Sequence, residues 1–165
     1  MLPSLSVSVR PAELRDAAAV AAIHHLYAGS ADVAVTPRQV TFWREAIEYG
    51  EPQVHVALEG DRIIGFVGFD RSRDPKSKQT MGEIWALYVL PSHVGLGMGV
   101  ALWDAAREGL EEEGCTSATV WVMLRDERAL RFFELAGFKR EMTTLRTALV
   151  GAERVEEVRL KRGVV

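Results

Sequence analysis

A single cysteine, Cys115, occurs in the 165 residues, so no internal disulfide can close and a reducing compartment is expected. No apolar run is long enough to cross a bilayer. The longest, such as "AAAVAAI" and "IWALYVL", fall far short of the ~20 residues a spanning helix needs. The opening "MLPSLSVSVRP" lacks a basic segment followed by an apolar one, so no secretory leader is expected. An excess of positive charge is also missing. With a net charge of −3, the chain advertises no nucleic-acid surface. Internal repeats, low-complexity tracts and linkers are absent too. These absences predict one cytoplasmic domain over residues 1–165, with no membrane partner and nucleic acid disfavoured.

What is present has an ordinary globular balance, 48% apolar and 26% charged. "SVSVR" (6–10) alternates like a strand. Asp16 can cap a helix over 17–28 whose face carries Val20, Ile23, His24 and Tyr27, with Gly29 as its stop. "TPRQ" (36–39) has the spacing of a capping box, and Val40, Trp43 and Ile47 form the stripe of a helix ended by Gly50. "QVHVAL" (53–58) and "RIIGFVGF" (62–69) predict strands joined by the hairpin turn "EGDR". The polar stretch 70–80 predicts a loop. "EIWALYVL" (83–90) predicts a strand buried on both faces, ended by Pro91. A helix over about 97–113 and the strand "SATVWVML" (117–124) follow. Then comes a helix capped by Asp126 and closed by Gly137, and two strands in "FKREMTTL" and "RVEEVRL". The order β-α-α-β-β-β-α-β-α-β-β predicts an α/β fold of three layers, a mixed central sheet with helices on both faces.

The stretch "HVGLGMGVAL" (93–102) places glycines at every second position before the third helix. That helix is amphipathic, with Met98, Leu102, Ala105, Ala106 and Leu110 as its stripe. Helix starts usually attract Asp or Glu, because free N–H groups make that end positive. Here no Asp or Glu occurs from Ile84 through Trp103. A bare helix start behind glycines is the construction of an anion site, most often for phosphate. The dinucleotide fingerprint fails, since neither Gly97 nor Gly99 has a glycine three residues on. The Walker loop fails because it needs a lysine that is not there.

With these flanks, "ALYVLPSHVGLGMGVALWDAA" (86–106) resembles the strand, pyrophosphate loop and helix of the GNAT superfamily of acyl-CoA-dependent N-acetyltransferases. "DERALRFFELAGFKR" (126–140) resembles that family's second motif. The resemblance implies a GNAT-like fold and direct acetyl transfer from acetyl-CoA to a primary amine of a small molecule or protein, without a metal. It implies that the backbone of Leu87, Tyr88 and Val89 pairs with the pantetheine arm. It further implies that Gly95, Leu96, Gly97, Met98 and Gly99 hold the pyrophosphate, and that Asp126 and Phe133 lie along the thioester end. Three departures stand out. Val94 replaces the usual Gln or Arg, Asp126 the common Asn, and Phe133 the tyrosine that often protonates the leaving thiolate.

The resemblance also makes Glu83 the candidate catalytic base, with a solvated strand end as the plainer alternative. His24 is either a core histidine or an acceptor-site group. Trp43, Trp85 and Tyr88 suit either an acceptor pocket or the core. Among Arg125, Arg128 and Arg131, one could meet the phosphates, or all three form a solvated face. His55 and His93 lack ligand spacing, so no metal is expected. The basic loop residues Arg71, Arg73, Lys76 and Lys78 are expected to shape the acceptor side and favour acidic amines. Two other functions stay open, a catalytically silent acyl-CoA-binding module and an acyltransferase acting on aminoacyl-tRNA. A homodimer also stays open.

Overall fold

The computed structural model describes residues 7–28, 34–150 and 152–165. Its strands are β1 (Val7–Pro11), β2 (Gln53–Glu59), β3 (Arg62–Arg71), β4 (Met81–Val89), β5 (Ser117–Met123), β6 (Lys139–Val150) and β7 (Glu153–Gly163). Its helices are α1 (Ala17–Ala28), α2 (Pro37–Tyr49), α3 (Met98–Glu112) and α4 (Glu127–Leu135). Short 3₁₀ turns precede α1 and follow β4. The strand order is β1-β2-β3-β4-β5-β7-β6, with β4 and β5 parallel and the β1/β2, β2/β3, β5/β7 and β7/β6 ladders antiparallel. This is the mixed sheet expected. No helix among the described residues is long and apolar enough to cross a membrane.

Contacts divide the chain into two compact units. One comprises Met1–Asp70 with Trp85–Gly109, the other Arg71–Ile84 with Leu110–Val165. In the first, α1 and α2 bury Val20, Ile23 and Trp43 with Val54, Val56, Leu58 and Phe66. The opposite face of β3 meets α3. A Cβ on Gly65 would lie 3.3 Å from Leu102, and one on Gly109 2.5 Å from the Phe69 ring. Helices therefore cover both faces of β3, because its side chains alternate sides. In the second unit, Val120, Val122, Val158 and Leu160 are buried, as are Leu130 and Phe133 of α4.

The local signals mostly act as expected. Thr36 accepts from the Gln39 N–H at 3.2 Å while Gln39 accepts from the Thr36 N–H at 2.7 Å, closing the capping box. Gly50 ends α2 in the left-handed conformation (φ +66). Gly137 adopts φ +97 after α4. The expected stop at Gly29 lies outside the described residues. Asp16 differs. Its carboxylate accepts from the Glu13 N–H and from Arg10, both at 2.7 Å, within the turn before α1. A local ion pair with Arg10, six residues away, together with the Glu13 N–H, thus takes the oxygen that a cap would have used. The β6/β7 hairpin runs longer than the sequence pattern suggests, through Arg146, which lies over the Trp121 ring at 3.5 Å.

Candidate active site

The strand before the glycines is only partly the buried strand expected. Gly82, Glu83, Ile84 and Ala86 are buried, but residues 87–90 are half-exposed. The reason is the ladder. Parallel pairing with β5 runs from Met81↔Ser117 to Ile84↔Val120, while β4 continues to Val89. At the far end the Leu90 N–H donates to the Ile64 carbonyl at 2.8 Å. Backbone groups alternate along a strand, so those of Tyr88 share the β3 side with Leu90. Those of Leu87 and Val89 point to the other edge. The Val89 carbonyl accepts from the Tyr27 hydroxyl of α1, and the Tyr27 and Tyr88 rings stack at 4.9 Å.

His93 fixes the turn that follows. It is buried, with Nε2 3.0 Å from a Glu59 oxygen and Nδ1 2.7 Å from the Ser92 hydroxyl. Gly95 and Gly97 then adopt φ +88 and +82. A Cβ on either would meet nothing within 4 Å, so conformation rather than crowding favours glycine here, and the space in front is open. The Ala101 N–H makes a helical bond to the Gly97 carbonyl at 3.1 Å. The N–H groups of Met98, Gly99 and Val100 precede it, as at any helix start. No acid lies in this first turn. Met98 is buried and anchors α3, while Leu96 is exposed. Bare donors, left-handed glycines and open space fit a phosphate-bearing ligand.

Behind β4 lies an aromatic cluster. The His24 ring meets Trp43 edge-on at 5.4 Å and Tyr88 at 5.7 Å. Burial pushes the His24 pKa down, and neighbouring His25 adds to the effect, so His24 is neutral near pH 7. Trp43 is core.

In the second unit Glu83 is neither solitary nor solvated. It is 3% exposed, and its oxygens accept from the Arg73 N–H at 2.9 Å and the Arg73 guanidinium at 2.6 Å. Ladder partners share a face. Glu83↔Thr119 and Thr119↔Lys161 therefore put Glu83, Thr119 and Lys161 in one row across β4, β5 and β7. Trp121 and Arg159 form the next row. The Arg159 guanidinium reaches Asp74 at 3.0 Å and Glu141 at 2.7 Å, and the Trp121 indole N–H donates to Asp74 at 3.0 Å. Burial lowers the Arg159 pKa, but the bonds to Glu141 and Asp74 outweigh it and the net shift is upward. The sequence reading missed Trp121, Arg159 and Lys161. Only the alternation of "SATVWVM" could have hinted that Thr119 and Trp121 share a face.

Asp126 caps α4 by accepting from the Ala129 N–H at 3.1 Å. Phe133 is buried, edge-on to Phe132 and Phe138 at 5.1 and 5.2 Å. Arg125 pairs with Glu153 at 2.7 Å. Among the described residues, no group of three His, Cys, Asp or Glu side chains is placed to hold a metal ion.

A mixed sheet with a glycine-lined, acid-free helix start after its central strand defines an α/β protein. The match goes further, since residues 20–138 fit the model of the acetyltransferase (GNAT) family, and the chain belongs to that family. The mycothiol acetyltransferase of Acidimicrobium ferrooxidans is 29% identical over 96 residues, 58% of this chain and 31% of that protein. The chain thus spans about a third of that relative's length. An uncharacterized N-acetyltransferase of Archaeoglobus fulgidus is 29% identical over 117 residues, 69% of this chain and 80% of that one. A Salmonella typhimurium structure assigned as an acetyltransferase, solved with its cofactor acetyl-CoA, superposes with a TM-score of 0.78 at 17% identity. The match covers 97% of this chain and 95% of that one.

Proposed function

We propose that the chain, acting as one domain in the cytoplasm, is an N-acetyltransferase that moves an acetyl group from acetyl-CoA to a primary amine of a small molecule or protein. The observation that carries this reading is the acid-free start of α3 behind two left-handed glycines, in a chain of the GNAT family. Acetyl-CoA supplies an activated acyl group and a sulfur leaving group.

The N–H groups from Gly95 to Gly99 would hold its pyrophosphate, with Leu96 and Met98 in the same turn. Leu87 and Val89 carry the backbone groups that face away from β3, and they would pair with the amide-bearing arm. Tyr88 would contribute its ring instead, because its backbone faces β3. Asp126 and Phe133 would flank the thioester end. Transfer requires the amine nitrogen to attack as a free base, the C–S bond to break, and the amine's proton to go elsewhere. Glu83 is the acceptor we assign for that proton. Each Glu83 oxygen takes one hydrogen bond from Arg73, and a carboxylate oxygen has a second lone-pair site for a proton or a water. Arg73 also fixes the carboxylate's orientation, as a positioned base requires.

The test is thiol release from acetyl-CoA over a panel of polyamines, aminoglycosides, amino acids and N-terminal peptides, with acetyl-CoA binding measured by calorimetry. Binding with turnover of at least one amine is the expected result. Binding without any turnover would make the chain a silent acyl-CoA-binding module, and absence of binding would overturn the reading.

A further inference from the structure

The chain carries only four lysines, Lys76, Lys78, Lys139 and Lys161, against 16 arginines. Three of the four line one cleft. Pro75, Lys76, Ser77 and Lys78 form its loop side, with Met81 at the start of β4, and Arg159 and Lys161 of β7 its floor, around about 290 Å³. The fourth, Lys139, is the ladder partner of Lys161 and shares its face. Like charges directly opposite on a sheet repel, so Lys139 and Lys161 do not favour the fold as a pair. Arginines of the same loop are committed elsewhere, Arg73 to Glu83 and Arg71 to the Glu113 carbonyl at 2.9 Å. Arg159 is held between Asp74 and Glu141. Among the described residues, by contrast, no carboxylate pairs with the ammonium groups of Lys76, Lys78 or Lys161. A chain of net charge −3 thus gathers its lysines, largely unneutralised, around one cleft.

The backbone adds a second sign. Lys76 is the one described non-glycine residue with positive φ, at +64. A lysine there is strained relative to an ordinary backbone position. A glycine would serve the turn without that strain, so the lysine side chain is held here at a backbone cost.

We infer that this cleft binds the anionic group of the amine acceptor, a carboxylate or phosphate, and so selects acidic amines. The inference rests on the acetyltransferase reading and deepens it. It also narrows which residues of the basic loop face the ligand: Lys76 and Lys78 do so with Lys161, whereas Arg71 is engaged with Glu113 and Arg73 with Glu83. The geometry sets the acceptor's size. Lys161 lies two strands from Glu83 in the same cross-strand row, about 10 Å between backbones at the usual strand spacing. An ammonium on a flexible four-carbon stem suits a point contact with an anion at a variable distance, where a guanidinium fork would demand fixed planar geometry. Pro75 and Met81 offer apolar surface to the short chain between the amine and the anion.

The experiment compares glycine through 6-aminohexanoate, each with its carboxamide, and O-phosphoethanolamine with ethanolamine, as acceptors for the full chain. We expect at least one acid to exceed its neutral partner in kcat/KM by roughly tenfold, the sum of several half-exposed ion pairs. In Lys78→Gln/Lys161→Gln that ratio should fall to about one, and in wild type it should shrink as salt rises. Lys76→Gly should lower the ratio while leaving Tm unchanged or higher, a pairing that a purely structural lysine would not give. Ratios near one for every wild-type pair, or ratios unmoved in the double variant, would overturn the inference while leaving the acetyltransferase reading intact. Should no amine turn over, inorganic phosphate titrated calorimetrically into the acetyl-CoA-saturated protein decides. Binding that is lost in the double variant supports the cleft even as the enzymatic reading fails, and no wild-type binding overturns it.

Discussion

The start of α3 and the lysine-lined cleft by β7 both present positive charge, but they are built from different parts. At α3 the donors are backbone N–H groups, held by the helix behind them and uncovered by glycines at φ +88 and +82. At β7 the donors are ammonium groups on flexible stems, brought together from a loop and a strand far apart in sequence. Fixed dipoles suit a ligand group that never varies, because no side-chain entropy is lost on binding. Lysines suit a group whose distance and shape vary. On the reading proposed above, the difference matches a donor common to many reactions and an acceptor particular to one.

Substitutions can break this comparison at either end. The largest effect is expected at Glu83, which shares its sheet face with the lysines. Glu83→Gln should lower turnover by about 10²–10⁴-fold and leave acetyl-CoA affinity nearly unchanged. Turnover assayed from pH 7 to 9 checks this, and wild-type rates would return Glu83 to the sole task of holding Arg73. Next comes the backbone site. Gly97→Glu forces a side chain into a left-handed position and sets a carboxylate before bare N–H groups. Acetyl-CoA affinity should drop about a hundredfold by calorimetry, with the phosphate titration at the lysine cleft unmoved.

A smaller effect sharpens the comparison. Phe133→Tyr adds one hydroxyl to a buried ring packed on Phe132 and Phe138. A thiol with pKa about 8.5 leaves tolerably as thiolate, so the native chain can work without this acid. The variant should turn over about two- to fivefold faster, the modest end of acid catalysis, at constant acetyl-CoA affinity. Lost binding would move the second motif away from the thioester.

The smallest effect is on stability. The folded pKa of His24 lies below the ordinary 6.5, first through burial and then through His25. The unfolded chain therefore takes up the proton first. The stability His24 contributes is present above about pH 6.5 and fades as pH falls through that value toward the folded one. His24→Phe should flatten the decline of Tm between pH 7.5 and 5.5 by a few degrees, about 2–4 °C per kcal/mol for a chain this size. Asp16 titrates in a separate, lower window. Burial raises its pKa, but bonds from Arg10 and the Glu13 N–H outweigh that, so its contribution is lost only below the ordinary carboxylate range.

The sequence by itself determined what depends on near neighbours. Periodicity, the capping box at Thr36, the glycines and the acid-free stretch before α3 act over a turn or less, so the element order and the bare, glycine-lined start of α3 were legible. The family motifs named the candidate residues around them. Tertiary structure alone decided what depends on register and distant partners. The pairing of β4 with β5 stops at Ile84, which leaves residues 87–90 half-exposed where their composition reads as buried. Glu83 is claimed by Arg73 rather than by solvent. Lys161 joins Lys76 and Lys78 because a ladder sets it one strand beyond Thr119. The alternation of buried Val158 and Leu160 with Arg159 and Lys161 fixes the face locally, but only the ladder decides which residues Lys161 meets on that face.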